Sequence, residues 1–135
     1  MSTYATRFNR WMEEVWNKRQ ETSIDELMDA NAKIHGLETE MVGPADFKPF
    51  YRNFLQAFPA AHVDTEILMT NEEFEAGYFT VSATSLDGKE VNFTGLAVIR
   101  LKDDKIIEAW NGVDFLKMHL QLGEKLVSSE ESLAV

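Results

Sequence analysis

Hydrophobic positions recur at helical spacing in the first part of the chain and at a spacing of two after residue 62. Phe8, Trp11, Met12, Val15 and Trp16 follow the i, i+3, i+4, i+7, i+8 pattern of a buried helical face. Ser23 and Glu26 stand in capping-box relation, with Ile24, Leu27 and Met28 as the apolar side. A second helix is therefore predicted from Ser23 to just before Ile34-His35-Gly36. A third begins near Gly43-Pro44, where proline suits the first helical position. Pro49 then requires either a late start or an irregular first turn. Phe47, Phe50, Tyr51, Phe54 and Phe58 form an aromatic stripe on this helix, and Pro59 ends it.

From His62 onward Val63, Thr65, Ile67 and Met69 alternate with His62, Asp64, Glu66 and Leu68, which predicts a strand. Further strands are predicted over 73–84, 90–101 and 105–114, the first two joined by an Asp87-Gly88 hairpin turn. The strand over 90–101 is nearly continuously apolar after Phe93, and a short amphipathic helix over 115–122 closes the pattern. Helices first and an antiparallel meander afterwards give an α+β fold with helices on one sheet face. A curled sheet closed by aromatic-rich helices leaves a blind apolar cone, a natural small-molecule site.

The 135 residues fit a single domain over 1–123, followed by a loosely held acidic tail over 124–135. With a net charge of −10 and scattered lysines and arginines, the chain lacks the basic stripe that nucleic acid requires. The same acidity repels anionic membranes, and no apolar run approaches the roughly 20 residues of a membrane span. The first residues have no signal-peptide layout, so a cytoplasmic location is expected. The absence of cysteine excludes disulfides, thiolate zinc sites and thiol nucleophiles. His35, His62 and His119 are dispersed and form no i, i+4 pair, so no metal site is expected.

The candidate chemistry lies at the junction of the last strand and last helix. Trp110, Gly112 and Asp114 share parity on that strand and face one side. Asp114 has two readings. Beside Trp110 in a dry pocket its pKa would rise and it would serve as an acid/base. As the N-cap of the following helix it would accept backbone N–H groups, which lowers a carboxyl pKa. Trp16, Tyr51, Phe54, Tyr78 and Trp110 are candidate cone walls. Tyr51 and Tyr78 are favoured because a buried phenol seeks a partner. His35 follows the second helix and is a candidate for orienting a carbonyl.

Several short segments, in order, resemble the SnoaL-like family of the nuclear-transport-factor-2-like superfamily. They are Glu14-Val-Trp-Asn17, Ile34-His-Gly36, Gly43-Pro-Ala-Asp-Phe47, Ala57-Phe-Pro59, Asp87-Gly-Lys89, Lys105-Ile-Ile-Glu108 with Trp110, and Asp114 through Gln121-Leu-Gly123. The resemblance implies a cone-shaped fold: N-terminal helices on a curved antiparallel sheet, with a short C-terminal helix. It implies a pocket near His35 and acid/base chemistry at Asp114, which matches the aspartate that polyketide cyclases of this family carry. Those cyclases close a ring by aldol condensation without metal or cofactor. They also carry a histidine two residues earlier, where this chain has Gly112, and the 80–88 hairpin is plainer than theirs. No Arg-x-Asp pair occurs, which counts against epoxide-hydrolase-like chemistry of the superfamily.

Two functions are therefore expected. One is metal- and cofactor-independent cyclisation or isomerisation of a small hydrophobic carbonyl compound, with Asp114 and His35 catalytic. The other is a non-catalytic ligand-binding or dimerisation module. A homodimer is expected, because helices on one sheet face leave the other face open.

Overall fold

A computed structural model describes residues 6–129. Helix α1 (Arg7–Arg10) is capped by Thr6, whose hydroxyl accepts from the Asn9 amide. It continues as a π-helical segment, Trp11–Asn17. Trp11, Met12 and Val15 are buried on its inward side, with Trp16 packed against the core beside them. Asn17 then pegs this segment to a strand edge: it donates to the Val63 carbonyl at 2.9 Å and accepts from the Val63 amide at 2.7 Å.

Helix α2 is shorter than its sequence pattern predicts. It spans Thr22–Leu27, and Ser23 is no cap: its hydroxyl donates to Glu14 at 2.8 Å. Strand β1 (Met28–His35) follows directly, where helix was expected. Met28, Ala32 and Ile34 are buried on it, and the spacing of four between the first two also fits a helix. Strand β2 (Met41–Val42) leads into α3 (Gly43–Ala57). Pro44 sits at the start of α3 and Pro49 inside it, so the helix starts early and tolerates the missing donor.

Strands β3 (Ala60–Thr70), β4 (Phe74–Thr84), β5 (Glu90–Lys102) and β6 (Lys105–Val113) form the expected meander, and α4 (Phe115–Gln121) closes the fold. The six strands lie in the order β2-β1-β6-β5-β4-β3. Every pairing is antiparallel except β1 with β6. A register shift between Thr65 and Ile67 breaks the simple alternation of β3. Val63 stays buried beyond it, while Ile67 and Met69 turn outward.

The helices cover one sheet face. Phe79, Val81, Phe93, Ala97, Ile99 and Ala109 point at them and are buried. The even-numbered positions of β4, of β5 up to Arg100 and of β6 from Glu108 onward form the opposite face, while a register shift at Arg100/Leu101 turns Ile106 inward. No helix among the described residues is long and apolar enough to cross a membrane. Of the segment 124–135, residues 130–135 lie outside the described residues, as do residues 1–5.

Candidate functional site

The covered face of the sheet encloses a cavity of about 100 Å³. Phe79, Phe93, Ala97 and Val113 supply its sheet wall, and Trp11, Trp16, Phe47 and Phe54 its helical wall. The aromatic walls interlock: Trp16 lies 5.5 Å from Phe54 and 6.1 Å from Phe47, both edge-on. Among the described residues that line it, Asn111 carries the one amide side chain, Trp11 and Trp16 each carry an indole N–H, and none is ionisable.

Asn111 is held in place by the chain beside it. Its amide donates to the His35 carbonyl at 2.9 Å, tying the end of β1 to β6. Gly36, at φ +88°, makes that approach possible, since a Cβ there would lie 1.9 Å from the Asn111 carbonyl oxygen. One N–H of the Asn111 amide serves His35, leaving a second N–H and the oxygen for a ligand.

The sequence-predicted site residues separate into two groups. Trp16 and Phe54 line the cavity. Asp114, His35, Tyr51, Tyr78 and Trp110 do not. Tyr51 is buried between α3 and the π-helical segment, where its hydroxyl donates to the Val15 carbonyl at 2.8 Å. Burial pushes that phenol's pKa up, with Glu21 adding to the rise. Tyr51 is thus a lock between two helical segments rather than a pocket phenol. Tyr78 lies on the open face, paired across β3 with Ile67 and across β5 with Leu96.

Trp110, Glu108 and His35 also occupy the open face. Trp110 is 38 % exposed and lies 5.8 Å from the His35 ring and 6.3 Å from Phe74. His35 bridges two carboxylates, with Nδ1 2.6 Å from Glu40 and Nε2 2.7 Å from Glu108. Glu40 and then Glu108 hold its pKa above the ordinary histidine value. Both ring nitrogens donate only in the imidazolium, so this geometry belongs to a charged histidine that clamps β1, β6 and the turn before β2.

Asp114 has the geometry of a cap. Its carboxylate accepts from the Lys117 amide at 3.0 Å at the start of α4, and the residue is exposed. Its parity is that of Trp110 and Gly112, whereas Asn111 and Val113 face the cavity. Sequence reasoning placed the aromatic face of β6 inward. The signal for the true inner face was Ala109, Asn111 and Val113: an amide between two small apolar residues.

A family model described as SnoaL-like polyketide cyclase matches residues 6–122. Among solved structures the fold is similar to AclR, a hydroxylase candidate from Streptomyces galilaeus. That match has 22% identity and a TM-score of 0.77, and covers 92% of this chain and 100% of that one. IdmH, a polyketide cyclase candidate from Streptomyces antibioticus, matches with 18% identity and a TM-score of 0.75, over 91% of this chain and 100% of its own. A polyketide cyclase candidate from Bacillus cereus shares 27% identity at a TM-score of 0.75, over 88% of this chain and 77% of that one. No curated protein matches the chain significantly.

Proposed function

The chain belongs to the SnoaL-like polyketide cyclase family, and from that premise we propose that it binds a small hydrophobic carbonyl compound inside the cone. Asn111 is the polar anchor for the carbonyl oxygen. The observation that carries this reading is a cavity with apolar and aromatic walls in which Asn111 is the one amide side chain. An apolar chamber of this kind stays dry and rewards burial of an apolar ligand, while one directed N–H fixes its orientation. Acetophenone and ethylbenzene, similar in shape but differing in the carbonyl, test it by ligand-observed NMR. The native protein is expected to prefer acetophenone, and Asn111→Leu to remove about 1 kcal/mol of that preference, roughly fivefold. Equal binding of both compounds by the native protein refutes the anchor.

A second reading is turnover: cyclisation or isomerisation of the bound carbonyl compound without metal or cofactor. The family match and an aspartate at the end of the last strand favour it. Asp114 would have to leave the Lys117 amide and swing round Val113 into the cavity. Asp114→Asn keeps a good N-cap but removes the base. On a compound that the native protein converts, a rate loss of about 10²-fold or more supports this role. Undiminished turnover ends it.

We further infer a homodimer through the open sheet face. Two rows cross it: Ile67, Tyr78, Leu96 and Gly112, then Met69, Ala76, Val98, Trp110 and His35. Ile67, Met69 and Leu96 are 56%, 68% and 59% exposed. The two rows contain no carboxylate. In a protein of net charge −10 these carboxylate-free rows are the part of the face that a second copy can cover. Sedimentation is expected to give a dimer for the native protein and a monomer for Leu96→Asp; a native monomer at micromolar concentration contradicts it.

A further inference from the structure

We propose that a second hollow beside the cone is the outer half of one ligand site, and that Phe115 decides whether the two halves act as one. The inference rests on the reading that the cone binds a carbonyl compound. The outer hollow measures about 660 Å³ and lies between α3, the 85–89 turn and α4. Phe50, Phe54 and Phe115 line both it and the inner cavity of about 100 Å³. These rings are the partition between the two.

The two sides of the partition differ chemically. Inside, the walls are apolar and aromatic and Asn111 is the one amide. Outside, Phe58 and Met118 share the wall with Asn53, Ser85, Lys89 and His119. The ligand class that fits both is an elongated amphipathic molecule. Its apolar ring or chain end, with the carbonyl, sits inside, and its hydroxyl- or amide-bearing end sits outside.

Of the three rings, Phe115 is the one free to move. Phe50 and Phe54 ride on the 15-residue α3. Phe54 has ring neighbours on both sides, Trp16 at 5.5 Å and Phe58 at 4.9 Å, and Phe50 packs 5.8 Å from Phe47. Among the described residues Phe115 has one ring neighbour, Phe93 at 6.2 Å. It also starts a seven-residue helix whose Leu116 and Leu120 are 51% and 49% exposed. Met118 is its one buried side chain, and exposed polar contacts supply further ties. The Asn92 amide donates to Gln121 at 2.6 Å, the Gln121 amide returns a bond to the Asn92 carbonyl at 3.0 Å, and Lys89 donates to the Leu122 carbonyl at 2.7 Å. Elements held by few buried contacts and by exposed hydrogen bonds open at low free energy. Opening α4 carries Phe115 out of the partition and joins the two hollows.

The test uses two ketones on the full chain: acetophenone, a single ring, and prodan, a dialkylamino-naphthyl ketone larger than the inner cavity, whose emission reports polarity. Phe115→Ala is expected to bind prodan about tenfold tighter, with blue-shifted emission, because the joined hollows bury more of it. The acetophenone affinity of Gln121→Ala, whose side chain lines neither hollow, is expected to stay within about twofold of the native value. Gln121→Ala, which loosens α4 without touching either cavity wall, is expected to speed prodan association and release together. It and Phe115→Leu carry the test if Phe115→Ala fails to fold. Unchanged prodan affinity, emission and rates in these variants, with acetophenone still bound by the native protein, overturn the two-part site. Failure of the native protein to bind acetophenone overturns instead the reading on which it rests.

Discussion

The two faces of the sheet use opposite chemistry. On the covered face Phe79, Phe93, Ala97, Ile99 and Ala109 are buried, and Asn111 is the polar side chain that the sheet turns to the cavity. On the open face stand His35, Glu108 and Trp110, with Asp114 just past the strand end, beside exposed Leu96 and Ile67. Residue types that carry catalysis elsewhere serve here as clamps and caps, because charged groups keep their hydration and their partners on a water-facing surface. On the proposed reading, the covered face recognises its ligand by shape and orients it with one directed hydrogen bond.

The sharpest way to break this contrast is to truncate one large side chain on each face. Phe93→Ala is expected to lower unfolding free energy by about 3–5 kcal/mol, read from urea midpoints. Leu96→Ala, at 59% exposure, should stay within about 0.5 kcal/mol under monomeric conditions. Similar losses at both sites would erase the distinction between the faces.

Asp114 gives a smaller effect. Asp114→Ala should cost about 0.5–2 kcal/mol through the lost cap while Asp114→Asn costs far less. Neither should weaken acetophenone binding. A binding defect in Asp114→Asn with stability intact would move Asp114 into the site.

The smallest effect is the pH response of the His35 clamp. Its pKa is raised in the fold, so its contribution is complete below the ordinary value of about 6.5 and disappears as pH rises through the raised value. Melting temperatures of the native protein and His35→Gln should therefore differ at acidic pH and converge at alkaline pH. A gap that widens with rising pH would contradict the clamp.

Much of this fold was legible in the chain. The Phe47-to-Phe58 stripe marks α3, and the alternation after His62 with the Asp87-Gly88 turn marks the meander. Strand β1 was hidden because it leaves α2 without glycine or proline, and Leu27, Met28 and Ala32 bury at intervals that a helix also produces. The site was less legible, for a physical reason. Trp110 looks like a core residue, yet it packs on His35 and Phe74 on the open face. Placing it inward reverses the parity of β6 and hides Asn111. Tyr51 did find the partner that a buried phenol needs, but that partner is the Val15 backbone.

One measurement tests the central claim most directly: intermolecular nuclear Overhauser contacts between acetophenone and the methyl groups of the native protein. Contacts to Ala97, Ile99 and Val113, which line the cavity, are the predicted result. Contacts confined to Ile67, Met69 and Leu96 on the open face would contradict it.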